Sequence, residues 1–123
     1  MTFARLSSIA RQVVAAAQRR LPPGVREAAA AVPVCYESHP GEDMLDDDID
    51  EDILGLFVGH EHGAELAESQ PLPPQILLFL DNIWDQAEGD ETTYRDEVRL
   101  TYLHELGHYL GWDEDEVARR GLE

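Results

Sequence analysis

The sequence contains one cysteine and no long apolar segment. Cys35 cannot form an intramolecular disulfide, so this fold has to be held together by its core. No apolar segment approaches the roughly 20 residues with which a helix crosses a bilayer. These features are untypical of disulfide-rich secreted domains and of membrane proteins, and we expect a cytoplasmic protein with no membrane partner.

Basic residues are also scarce. The chain has 9 Lys+Arg against 26 Asp+Glu, which gives a formal net charge of -17. Such an acidic chain repels phosphate backbones, so the composition argues against a nucleic-acid partner. A length of 123 residues, with 43% hydrophobic residues, predicts one globular domain over residues 1–123.

Hydrophobic periodicity and turn residues predict the order of the elements. The predicted helices cover residues 3–20, 24–31 and 92–110, and the predicted strands cover residues 32–37, 53–58 and 75–80. Prolines before the third strand favour an edge position for it. The acidic segment LDDDIDED lies in a loop and lacks the glycine of a calcium-binding EF-hand loop, so we interpret it as solvated. The order predicts an α+β domain, with a small sheet packed on two main helices.

The segment TYLHELGHYLGWDEDE, residues 101–116, carries the chemistry. At about 100° per residue, His104 and His108 lie about 40° apart on one helix face, one turn from each other. Both rings can therefore reach one Zn²⁺ at about 2.0–2.1 Å, with Glu105 beside them to contact a metal-bound water. The alternative is a core helix that holds two histidines by chance, but the apolar flanks of this helix leave only this narrow polar face.

A catalytic zinc site needs a third protein ligand and an open position for water. Gly111 permits a sharp turn after the helix, and the acidic segment WDEDE follows it. Glu114, ten residues after His104, is our candidate for the third ligand. Related metal sites in which the third ligand closely follows the two histidines in the chain place it at this offset. Asp113, Asp115 and Glu116 remain competitors.

The segment HELGHYLGWDEDE resembles the H-E-x-G-H-x-x-G-x-x-D/E signature of the zincin-like metallopeptidase family of small bacterial proteins. The segments LPP, ILGLF and PPQILLFL look similar as well, so the resemblance spans most of the chain. It implies a minimal zincin-like fold, in which a small mixed sheet packs on an N-terminal helix and on the C-terminal active-site helix. By this resemblance His104 and His108 bind zinc, Glu105 is the general base, an acid near Glu114 completes the site, and the sheet's edge strand faces a peptide or protein substrate.

Other interpretations stay open. The spacing His104-x3-His108-x5-Glu114 is similar to a bacterial endoribonuclease family of rRNA maturation, although that family uses three histidines and the net charge of -17 opposes RNA binding. A non-catalytic protein that keeps the zincin fold for binding is the third possibility. His60 and His62, in the turn GHEHG, are interpreted as exposed residues and not as a second metal site.

Overall fold

The computed structural model describes residues 1–45, 49–59 and 73–112. These residues form an α+β fold, which confirms the predicted class. The helices are α1 (Phe3–Arg19), α2 (Pro23–Ala30), α3 (Leu80–Gln86) and α4 (Glu91–Tyr109); the strands are β1 (Val34–Glu37), β2 (Gly55–Val58) and β3 (Gln75–Phe79). Within these ranges, no helix combines the length and the apolarity needed to span a bilayer. A single domain over residues 1–123 stays a prediction.

Helix α1 supplies one side of the core. The Thr2 hydroxyl accepts a hydrogen bond from the Arg5 backbone N–H and caps the start of the helix. Apolar residues at helical spacing are buried along one face: Leu6, Ile9, Ala10, Val14 and Ala17. This face packs against α3 and α4.

The three strands form one mixed sheet in the order β1-β3-β2. β3 pairs parallel to β1 and antiparallel to β2, so it is the central strand. The predicted edge position of residues 75–80 is therefore wrong. The prolines precede the strand and restrict only its start, whereas the segment from Ile76 to Phe79 is apolar throughout and buried. A continuous apolar segment of this kind is typical of a strand that is covered on both faces.

Helix α4 carries the two histidines and packs against α1, β2 and β3. Two hydrogen bonds fix it to α1: the Tyr94 hydroxyl donates to the Leu6 carbonyl over 2.9 Å, and the Gln18 amide donates to the Tyr102 hydroxyl over 3.1 Å. Asp90 caps the start of α4. These contacts hold the helix in one orientation under the sheet.

Helix α4 ends just before Gly111, the glycine that the sequence predicts as its C-terminal cap. Gly111 has a φ of 75°, in the left-handed region. Its N–H donates to the His108 carbonyl over 3.0 Å, and the Trp112 N–H donates to the Gly107 carbonyl over 2.8 Å. This pair of bonds is the Schellman motif, which ends a helix and turns the chain away from the helix axis. The chain therefore changes direction within four residues after His108.

Candidate metal centre

The structure brings His104, Glu105 and His108 together on α4. Potential ligand atoms of the three side chains all lie within 4.8 Å of one another. The centroids of the two imidazole rings are 4.6 Å apart, with an interplanar angle of 62°. The two rings are thus neighbours across one helical turn, as the spacing in the sequence predicts.

Glu105 is a charged residue that is buried in the described part of the chain. Its side chain is 9% exposed, whereas the His108 side chain is 49% exposed. Its Oε1 accepts a hydrogen bond from the Phe57 backbone N–H over 3.0 Å and lies 3.2 Å from His108 Nδ1. A carboxylate taken from water needs such partners, because an unpaired buried charge is strongly unfavourable. Strand β2 therefore stabilises and orients the carboxylate of α4.

Gly55 allows β2 to approach α4 this closely. A Cβ atom on Gly55 would lie 2.6 Å from Thr101 Cγ2, 3.1 Å from the Leu77 carbonyl oxygen and 3.4 Å from Glu105 Cγ. Any side chain here would push the strand and the helix apart. Residue 55 is thus a glycine because β2 and α4 lie too close together for a side chain at this position.

A surface cavity of about 560 Å³ opens beside these residues. Its lining combines residues of α4 with those at the start of β2: Ile53, Leu54, Gly55, Leu100, Thr101, His104 and Glu105. His104 and Glu105 are therefore accessible to a molecule that enters the cavity. Tyr102 and Tyr109, which also lie on α4, belong to the core and are 0% and 2% exposed.

The sequence analysis did not identify two residues that position Glu105, namely Gly55 and Phe57. A glycine inside the strand pattern ILGLF is a signal of close backbone approach, and it could have identified Gly55. No local signal identifies Phe57, because its backbone N–H, and not its side chain, contacts Glu105.

The donor set fits a zinc ion. Two imidazoles on one helix face are preferred zinc ligands, and His104 lines an accessible cavity. The Glu105 carboxylate beside them accepts a hydrogen bond from β2 and so is suited to act on a water molecule instead of serving as a ligand. Glu114 and its competitors Asp113, Asp115 and Glu116 lie outside the described residues, as do His60 and His62.

Comparison with known families agrees with this arrangement. A family model described as zincin-like metallopeptidase matches residues 29–122. The chain belongs to this family. The matched region of this zincin-like metallopeptidase includes the whole sheet and all of α4, whereas α1 precedes it. A comparison with curated proteins found no match.

Proposed function

We propose that this zincin-like metallopeptidase hydrolyses peptide bonds with a zinc ion held by His104, His108 and Glu114. The observation that supports this most directly is the buried Glu105 carboxylate, which a backbone N–H orients and which lies close to two neighbouring imidazoles. When bound, zinc supplies a Lewis acid that polarises the scissile carbonyl and lowers the pKa of a water towards 7. A cytoplasmic location and the absence of nucleic-acid and membrane partners belong to the same proposal.

Glu105 has the contacts that a general base needs. Within the described part of the chain, its hydrogen-bond partners contact Oε1, which leaves Oε2 for the reacting water. In the proposed reaction, Oε2 accepts a proton from the water and then transfers it to the leaving amine. The Phe57 N–H holds the carboxylate in place during both transfers.

The proposed peptide-binding edge is the outer edge of β2. The predicted strand 75–80 cannot serve, because β3 is paired on both sides. In the β2–β3 ladder, the Phe79 N–H donates to the Leu54 carbonyl. Since antiparallel pairing alternates along a strand, the peptide groups of Gly55 and Phe57 point away from β3. The Phe57 bond to Glu105 agrees with this direction. An extended substrate that pairs with this edge lies directly beside Glu105.

Three matched variants test the proposal. Glu105→Gln is expected to keep bound zinc and to lower kcat by about 10²–10⁴-fold, because it removes the base and leaves both imidazoles. His104→Ala is expected to lose both zinc and turnover. Glu97→Gln, the same chemical change two turns earlier on α4, is the control and is expected to change neither. Zinc content is measured by elemental analysis and turnover by cleavage of a peptide library.

Two results would contradict this assignment. Cleavage at the wild-type rate by Glu105→Gln would exclude the proposed general base. A wild-type protein that neither binds zinc nor cleaves peptides would favour the non-catalytic binding protein, and cleavage of RNA in a parallel assay would favour the nuclease.

A further inference from the structure

We propose that a surface groove between α1 and α4 binds an acidic peptide segment of a partner protein. In this complex Arg20 and Arg99 bind carboxylates of the segment, and an apolar side chain of the segment packs on α1. The groove lies on the side of α4 away from the histidines. The proposal therefore does not depend on the proposed peptidase function.

The cationic residues of this acidic chain are unevenly distributed. The sequence contains no lysine, so its 9 cationic side chains are all arginines. Residues 1–36 hold five of them and one acid, Glu27, although the net charge of the whole chain is -17. Arg95 and Arg99 lie on α4, which packs against α1. The α1 side of the molecule thus carries a local excess of positive charge.

The groove is a cavity of about 360 Å³ between α1 and α4, and we call it the arginine groove. Its lining comes from the two helices and from the residue that follows α1: Gln12, Val13, Ala16, Ala17, Arg20, Arg95, Asp96 and Arg99. Three arginines outnumber the single acid, Asp96, in this lining. At about 100° per residue, Arg99 lies about 140° around the axis of α4 from His104. A ligand in the arginine groove and a metal ion at the candidate metal centre therefore contact different faces of α4.

Two of the three arginines in the groove have no acidic partner among the described residues. Arg95 has one, because its Nε lies 3.3 Å from Glu91 Oε2. The ion pairs found in the described ranges include neither Arg20 nor Arg99. Arg99 is also half-buried, and a partly desolvated guanidinium interacts more strongly with a counter-ion than an exposed one does. These two side chains are therefore available to bind carboxylates of a ligand.

Arginine side chains and apolar surface together indicate the chemistry of the ligand. A planar guanidinium binds a carboxylate or a phosphate through two parallel hydrogen bonds. Val13 and Ala16, half-buried on α1, add apolar surface to the same groove. A peptide can present carboxylates and an apolar side chain together, whereas a phosphate group supplies charge alone. The lining therefore favours an acidic peptide with an apolar residue among its carboxylates.

The net charge of the chain does not exclude this binding. At physiological ionic strength, exposed charges more than about 8 Å apart are largely screened from each other. Acidic residues beyond this distance therefore contribute little to the binding of a short segment. The charges that line the groove determine the local potential, and these are three arginines and one aspartate.

The test measures the binding of three short, end-blocked peptides to the full chain. Glu-Glu-Leu-Glu-Glu carries both features of the proposed ligand, Gln-Gln-Leu-Gln-Gln lacks the charge, and Glu-Glu-Ser-Glu-Glu lacks the apolar side chain. All proteins in this test carry Glu105→Gln, so that the proposed peptidase activity does not cleave the peptides. We expect the first peptide to bind about tenfold more tightly than either of the others, as measured by NMR titration.

Two double variants locate the binding. Arg20→Gln/Arg99→Gln removes both unpaired guanidinium groups and is expected to weaken the binding of Glu-Glu-Leu-Glu-Glu by about tenfold or more. Arg11→Gln/Arg19→Gln removes the same charge from α1 outside the groove and is expected to change the affinity by less than about twofold. Circular dichroism verifies that each variant is folded. If the groove variant is unfolded, Arg20→Lys/Arg99→Lys replaces it and must also weaken binding, because lysine keeps the charge but lacks the planar fork.

Three results would overturn the proposal. If the acidic peptide does not bind, or binds the groove variant and the control with equal affinity, these arginines are not its site. Inorganic phosphate that binds the groove more tightly than the peptide would assign the site to a phosphate ligand. Self-association of the wild type that only the groove variant loses, measured by sedimentation velocity, would assign this surface to a second copy of the chain.

Discussion

Replacing Gly55 with alanine tests the close packing of β2 on α4. The added Cβ would lie 2.6 Å from Thr101 Cγ2 and 3.1 Å from the Leu77 carbonyl oxygen. Carbon atoms in ordinary contact are about 3.5–4.0 Å apart, so the first contact is too short by about 1 Å. The second contact is with the backbone of the central strand, which cannot rotate away. We therefore expect β2 and α4 to separate.

The expected loss of stability follows from two opposing effects. Overpacking of this kind costs about 1–3 kcal/mol, whereas replacing glycine stabilises by about 0.4–1 kcal/mol through the unfolded state. The free energy of unfolding should therefore fall by roughly 1–2 kcal/mol. Urea denaturation followed by circular dichroism measures this change.

Activity should fall by more than stability alone explains. Phe57, two residues after Gly55, donates the 3.0 Å hydrogen bond to Glu105, and a displacement of β2 would break it. A misplacement of about 1 Å at a catalytic group costs about 10²-fold in rate. We expect a loss of this size in kcat for peptide cleavage, with zinc content unchanged because both histidines lie on α4.

Two further variants make this test specific. Thr101→Ser removes the Cγ2 atom that the new Cβ would meet, so Gly55→Ala/Thr101→Ser should recover part of the stability and activity. Gly24→Ala is the control: no atom lies within 4 Å of its added Cβ, and alanine favours helix α2 by up to about 1 kcal/mol. Wild-type stability and activity in Gly55→Ala would refute the claim that close approach requires this glycine.

The remaining predictions concern the metal and the buried tyrosines. Zinc at about 100 times its dissociation constant should raise the free energy of unfolding by about 2.7 kcal/mol, and His104→Ala should abolish this gain; an equal gain in both proteins, measured by urea denaturation, would place the ion elsewhere. Tyr94→Phe removes the hydroxyl that donates to the Leu6 carbonyl and should cost about 0.5–1.5 kcal/mol in the same measurement, so an unchanged midpoint would contradict the role of that bond. Burial raises the pKa of Tyr94 and of Tyr102 above the value of about 10 that an unfolded chain has. The contribution of these two phenols to stability is therefore expected to stay constant below about pH 10 and to decline as the pH rises towards the folded-state pKa values, and an ultraviolet titration that shows both phenols ionising near pH 10 would contradict this.

Helix α4 could be predicted closely because its signals are local. The spacing of His104 and His108 fixes their common face wherever the helix lies, since an α-helix turns by about 100° per residue. Gly111 marks the end of the helix through its own φ of 75°. The family resemblance rests on the same segment, and the family model confirms it over residues 29–122.

The strand order could not be derived in this way. Prolines before residues 75–80 favoured an edge, but β3 is central because its apolar side chains are buried and both neighbouring strands pair with it. Pairing between strands joins residues far apart in the chain, and a composition signal at the start of one strand does not determine its partners. The correction moves the proposed substrate edge from β3 to β2.

By itself, the sequence determined the fold class, the helix that carries the histidines and the identity of the candidate base. Only the tertiary structure decided what holds Glu105, because the Phe57 N–H that donates to it is a backbone group 48 residues away and has no signature in the side-chain pattern. The same is true of the cavity, whose walls come from the start of β2 and from α4. Helical periodicity is a property of neighbouring residues, whereas a site between a strand and a helix exists only once the chain has packed.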